Sequence, residues 1–192
     1  MEDKIKLFTI CNQMAERDLD FLESTFKVDL GRENNQLEEK DEEYYQQFDQ
    51  IVRTQAKDMA SHYELFYCLE VSIRSIIKDK LESEIGGEWW LKAEIPDHIR
   101  LNVKANIKNE IDSAFTQRSD HEIDYTNFGD LGEIVRKNWQ YFGDLFNSQK
   151  AFNRVMHNLN LLRGPIAHCS PLAKDEIVRL GLSVKDWFRL MG

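Results

Sequence analysis

Apolar residues recur every three or four positions along most of this chain, the spacing of helices that each bury one face. Ile5, Phe8, Cys11, Ala15, Leu19, Leu22 and Phe26 predict a first helix. Residues 31–40, with Asn34-Asn35 and clustered acids, read as a connector. A second run begins near Glu42 and passes through Tyr45, Phe48, Val52, Met59, Phe66, Leu69, Ile73, Ile76 and Ile77 to Gly86-Gly87, as one long helix or two. Neither glycine nor proline occurs between Gly31 and Gly86, which favours helix over strand and turn. Trp89-Trp90 then fall in a loop, and Pro96 sits close to the start of a helix striped by Ile99, Val103, Ile107 and Ile111, where its missing N–H costs nothing.

Residues 116–125 have no period and read as a surface loop. Thr126 is placed to cap a helix running through Leu131, Ile134, Val135 and Trp139, and Ser148 to cap another that buries Phe152, Val155, Met156, Leu159 and Leu162. Gly164-Pro165 should end that helix, with short helical pieces to follow. Ser183 and Asp186 have the spacing of a weak capping box before Trp187, Leu190 and Met191. The expectation is an all-α fold.

At 192 residues and 42% hydrophobic content the chain can bury one good core. No apolar run approaches a membrane span and Met1-Glu-Asp-Lys-Ile-Lys is too charged for a signal peptide, so a cytoplasmic protein is expected. Cys11, Cys68 and Cys169 are odd in number and lack metal or redox spacing. His62, His98, His121 and His157 have no carboxylate or cysteine at metal spacing and are given no chemistry; no metal or cofactor is called for.

Charge divides the chain. The net charge of −9 is almost all in residues 1–50, which carry fourteen acids and six bases and leave the rest near −1. An acidic helical extension, 1–45, thus precedes a neutral body, 46–192. A neutral body can carry a local basic patch, which a uniformly acidic one could not offer to phosphate.

Arg163 and His168 supply the candidate chemistry. If Gly164 closes one helix and Pro165 opens a short new turn, His168 lies near a helix N-terminus beside Arg163, where free N–H groups, a guanidinium fork and an imidazole would converge on an anion. For RNA, an imidazole can move the 2′-hydroxyl proton and an arginine can steady the charge that develops at phosphorus. One histidine cannot be base and acid at once, so the pair is half of a site that a two-fold dimer would complete.

The segment Leu161-Leu-Arg-Gly-Pro-Ile-Ala-His-Cys, with Pro171-Leu172 after it, resembles the signature of the HEPN superfamily, whose Arg-x4-His motif marks metal-independent endoribonucleases. The likeness extends to Tyr63-Glu-Leu-Phe-Tyr-Cys-Leu-Glu-Val-Ser-Ile-Arg, Trp89-Trp90, Pro96, Tyr125-Thr-Asn-Phe-Gly-Asp-Leu and Asn138-Trp139, and covers roughly residues 60–190. These look like the branch at the C-terminal end of a eukaryotic nuclear-mRNA quality-control endoribonuclease, which also occurs in bacterial proteins. The resemblance implies a HEPN-like bundle of four to five core helices, a homodimer that pairs the motifs, and cleavage to a 2′,3′-cyclic phosphate. It also implies a setting in toxin–antitoxin or phage-defence systems, with an antitoxin or regulatory protein as partner. Two positions depart from the pattern. Gly164 stands where a polar residue is common, and Ser170 stands where toxins silenced by nucleotidyl transfer carry tyrosine.

Glu70 and Arg74 have the spacing of an ordinary helical ion pair; in the resembling fold Glu70 would orient Arg163 and Arg74 would reach RNA. Arg100, Lys104 and Lys108 form a basic ridge that either tracks a phosphate backbone or is a solvated face. The four tryptophans read as core and dimer anchors. Three functions stand open: a dimeric endoribonuclease, a non-catalytic module of the same fold that binds RNA, a nucleotide or a protein, or a purely structural dimerisation domain or sensor.

Overall fold

A computed structural model describes residues 47–191 continuously and, before them, only the single positions Asp18, Leu19, Leu22, Thr25, Phe26 and Tyr45. Apart from those positions, the predicted first helix and the 31–40 connector lie outside the described residues. The chain divides into two compact units, Met1–Gln47 and Phe48–Gly192, and the description that follows is of the second.

The fold is all-α, as the spacing predicts: six α-helices and two short 3₁₀ turns, with no strand among the described residues. Helix α1 spans Gln50–Ile85, so the apolar run is one helix from Val52 onward, while Phe48 lies before it in a bend. Asp49 caps it, its Oδ1 accepting the Ile51 N–H at 2.7 Å. Thirty-six residues extend about 54 Å. Met59 packs against the core, and full burial begins at Phe66 and continues through Leu69, Ile73, Ile77 and Leu81 until Gly86, at φ 97°, turns the chain.

Trp89-Trp90 lie in a short helix, α2 (Trp89–Lys92), and not in a loop. Both are buried, edge to face at 5.5 Å. Pro96 occupies the N-cap of α3 (Asp97–Asp112). The first 3₁₀ turn, Glu122–Tyr125, corrects the reading of 116–125 as wholly surface, because Ile123 and Tyr125 are buried. Helix α4 (Phe128–Lys137) is capped from Asn127 and not from Thr126: Asp130 Oδ2 accepts the Asn127 N–H at 2.9 Å, while the Thr126 hydroxyl turns back to the Ile123 carbonyl. The second 3₁₀ turn, Trp139–Tyr141, leads toward α5 (Gln149–Ala167), which Ser148 caps as expected, accepting the Ala151 N–H. Helix α6 (Lys174–Leu190) runs unbroken through Ser183, so no capping box forms there; the serine is buried in mid-helix.

Helix α5 packs against α6, α4 and α1 and so carries the motif through the middle of the bundle. Phe146 anchors the α5–α6 contact, 4.8 Å from Phe152 and 5.5 Å from Trp187 between ring centroids. Such pairs add roughly 0.5–1.5 kcal/mol each beyond the area they bury. Gly132 of α4 faces Met156 of α5, where an added Cβ would lie 3.5 Å from the methionine Cβ.

Two helices end in left-handed turns without glycine. Ala114, at φ 56°, follows α3, with its N–H on the Ile111 carbonyl and the Phe115 N–H on the Glu110 carbonyl. Cys169, at φ 55°, follows α5, and the Ser170 N–H reaches the Pro165 carbonyl at 2.9 Å. This is the position at which a Cβ is penalised and glycine preferred. Ala114→Gly is accordingly expected to raise stability by up to about 1 kcal/mol, read as a higher denaturation midpoint at unchanged slope. A lower midpoint would contradict this account of the turn.

Candidate functional site: the motif helix and its cleft

A cleft of about 580 Å³ lies between α1, the loop before and including the first 3₁₀ turn, and the last turns of α5. Glu70, Arg74 and Lys78 come from α1, Arg118, His121 and Asp124 from the loop, and Arg163, Ile166 and Ala167 from α5. The three α1 residues share a face because they are spaced by four.

Arg163 Nε lies 3.4 Å from Glu70 Oε2, joining the motif helix to α1. The other oxygen of Glu70 pairs with Arg74. The carboxylate thus bridges two guanidinium groups from different helices, and it does so at 18% exposure, where water screens it weakly. Arg163 retains 34% exposure, and among the described residues no protein group bonds its Nη atoms. They are free to meet a ligand.

Arg74 differs from expectation. Its Nη1 donates to the Asp124 carbonyl at 2.9 Å and its Nη2 to the Thr126 carbonyl at 2.8 Å, in addition to Glu70. A guanidinium bound to two carbonyls and a carboxylate is committed to holding the loop on α1, and is not a hand extended toward RNA.

The larger correction concerns His168. Helix α5 does not break at Gly164-Pro165 but continues to Ala167, and His168 is its C-cap, with its N–H on the Gly164 carbonyl at 3.1 Å. Proline deprives only the Leu161 carbonyl of its donor, and the helix ends two residues later, so little ladder is lost. This end of a helix presents carbonyls and not N–H groups, so anion attraction here comes from side chains and not from a helix N-terminus. Five residues of unbroken helix also turn His168 by about 140° from Arg163. His168 is exposed and is not among the residues lining the cleft, whereas Arg163 is. An added Cβ at Gly164 would meet nothing within 4 Å.

The predicted basic ridge on α3 is reduced to two members. Arg100 turns inward to the carbonyls of Ala93 at 3.1 Å, Ile95 at 3.3 Å and Leu91 at 3.4 Å, with its guanidinium 5.8 Å from the Trp90 ring centre. Lys104 and Lys108 are exposed but do not line the cleft.

Sequence reasoning passed over the loop wall. His121 Nε2 lies 2.8 Å from Lys78 Nζ, across forty-three residues of chain. Lys78 could have been suspected from its register with Glu70 and Arg74; nothing local marks His121. Arg118 beside it pairs with Glu110 at 2.5 Å and stands 5.1 Å over the Tyr125 ring. Partial desolvation pushes the Glu110 carboxyl up, but the backbone and side-chain hydrogen bonds from Arg118 outweigh it and hold the group below the usual carboxylate range. No group of three or more His, Cys, Asp or Glu side chains among the described residues could hold a metal ion, and none of the described helices is long and apolar enough to cross a membrane.

Comparison with curated proteins and with solved structures returns no match. Residues 64–192, which contain the lower part of α1, the loop wall and the whole motif helix, match the model of a family described as Swt1-like HEPN. With that match over two thirds of its length, an all-helical architecture and Arg163 tied to α1 on the motif helix, the chain belongs to the Swt1-like HEPN family.

Proposed function

We propose that this chain is a homodimeric, metal-independent endoribonuclease that cleaves RNA by attack of the RNA's own 2′-hydroxyl. The observation that carries this reading is Arg163, fixed through Nε by Glu70 with its Nη groups open on a cationic cleft. Such a guanidinium is pre-set to receive a phosphodiester.

In this mechanism the imidazole of His168 removes the 2′-hydroxyl proton, and the oxygen attacks the adjacent phosphorus. The 5′-oxygen leaves with a proton from a second imidazole, that of His168 in the partner. Arg163 steadies the charge on the non-bridging oxygens. The products are a 2′,3′-cyclic phosphate and a 5′-hydroxyl. Placement of His168 outside the cleft of its own protomer agrees with a site shared between two chains.

In the same reading residues 46–192 form the HEPN-like domain and 1–45 an acidic extension. A role as a toxin or phage-defence effector, with a regulatory partner, follows from the family resemblance alone, and a cytoplasmic setting from the reading of the sequence.

The exposed position of His168 and the absence of a side chain at Gly164 favour a second reading, a non-catalytic module that binds RNA or a nucleotide. Incubating the purified protein with mixed RNA in excess chelator separates the two. Cleavage with cyclic-phosphate ends is expected; intact RNA in chelator would favour the second, and cleavage that appears only with added magnesium would contradict the metal-independent mechanism.

A further inference from the structure

We propose that Lys78 and His121 form a second phosphate subsite in the cleft, which takes a phosphate of single-stranded RNA other than the one held by Arg163. The proposal rests on the RNA reading above and adds the length and form of the substrate.

The cations of the cleft are not equivalent. Both Nη atoms of Arg74 are committed to two carbonyls and Glu70, with its Nε buried, and Arg118 is neutralised by Glu110. Lys78 has no carboxylate within ion-pair distance among the described residues; the partner of its ammonium is the imidazole of His121. An ammonium can only donate, so Nε2 of His121 accepts here. That leaves the Lys78 charge uncompensated in a half-buried place, with ammonium protons to spare. An anion is the ligand that completes it.

The loop that presents His121 is braced from several sides. Ser119 Oγ donates to Asp124 Oδ2 at 2.5 Å and accepts the His121 N–H at 3.0 Å. The Tyr125 hydroxyl donates to the Ser119 carbonyl at 3.0 Å. A subsite held in this way loses little freedom when a ligand arrives.

Separation identifies the ligand as a strand. Glu70, which holds Arg163, and Lys78 are eight residues apart on one helix, about 12 Å along its axis. Arg74, with both Nη atoms committed, lies between them, and the two available cations are assigned to separate phosphates. A polyanion with repeated charges bridges such a pair; a mononucleotide does not. The cleft is walled by the irregular backbone of the loop and by side chains of α1 and α5, accessible to an unpaired strand whose phosphates can follow it.

The test uses 2′-O-methyl RNA, which lacks the attacking hydroxyl, as a single strand of a dozen nucleotides and as a dinucleoside monophosphate. Binding of each to the full-length protein is followed by fluorescence anisotropy over a range of salt. For the strand, Lys78→Met is expected to weaken binding about tenfold and to reduce the salt slope by about 0.7, the share of one single-strand phosphate contact. Lys78→Arg should restore most of the affinity, and Lys137→Met, outside the cleft, should bind as wild type. The dinucleotide should bind wild type and Lys78→Met alike. If Arg163→Ala weakens the strand but Lys78→Met leaves affinity and slope unchanged, the subsite is wrong and the RNA reading survives. Equal weakening of strand and dinucleotide by Lys78→Met would place Lys78 on the same phosphate as Arg163 and overturn the separate subsite. No effect of either Arg163→Ala or Lys78→Met on the strand would remove the RNA reading and the subsite with it. Circular dichroism and thermal melting confirm that each variant is folded.

Discussion

RNA cleavage by the His168→Ala protein is expected to fall by about 10²–10⁴-fold, the usual worth of a positioned acid or base. Arg163→Ala should cost about 10²–10³-fold, the worth of one group aimed at developing charge. Both variants are expected to fold: His168 is exposed, and among the described residues the Arg163 side chain bonds the protein through Nε alone. The composite site makes a sharper claim. If each cleavage event needs an imidazole from both protomers, adding His168→Ala protein to wild type forms mixed dimers with no complete site. Activity should then follow the square of the wild-type fraction after subunit exchange. A linear fall would show that one protomer suffices, and unchanged cleavage by both variants would remove the motif from the chemistry altogether. Sedimentation of the mixtures confirms that exchange has taken place.

The second large effect is structural. Asn138→Leu is expected to lower stability by about 3 kcal/mol, because it orphans both the N–H and the carbonyl of Glu94. Asn138 is fully buried. Its Oδ1 accepts the Glu94 N–H at 2.9 Å, and its Nδ2 donates to the Glu94 carbonyl at 3.0 Å and the Ile134 carbonyl at 2.9 Å. One side chain thus ties the linker between α2 and α3 to the end of α4, pairing both the N–H and the carbonyl of Glu94, while the Ile134 carbonyl also accepts the Asn138 N–H at 3.1 Å. Leucine fills the space but satisfies none of the three. For a domain of this size the loss corresponds to a fall in Tm of roughly 6–12 °C, measured by far-UV circular dichroism. A Tm equal to wild type would mean that Glu94 finds water instead, and that Asn138 is not the clasp described here.

Several features were legible without a structure because they depend on neighbours in the chain. Helical periodicity from Phe66 to Ile77, the stop at Gly86, the Ser148 cap and the apolar face from Phe152 to Leu162 are set by spacing and by single residues whose chemistry acts within one turn. The pairing of Glu70 with Arg163 was expected from resemblance, and the distance between them fits it. Local rules also misled. Gly164-Pro165 has the chemistry of a helix stop, yet packing of Ile166 into the core outweighs it and carries α5 to Ala167. Conversely, α3 and α5 end on Ala114 and Cys169 in left-handed turns that a search for glycine overlooks.

The cleft itself was decided in three dimensions. Composition and period established a helical chain with an arginine and a histidine five positions apart; they could not say that the arginine lines a cleft while the histidine stands outside it. Nor could they say that Arg74 and Arg100 would be consumed by backbone carbonyls, or that His121 would come within 2.8 Å of Lys78. Those outcomes turn on which carbonyls and carboxylates the folded chain brings beside each cation. A charged side chain's freedom to meet a ligand is set by partners distant in sequence, and only packing chooses them.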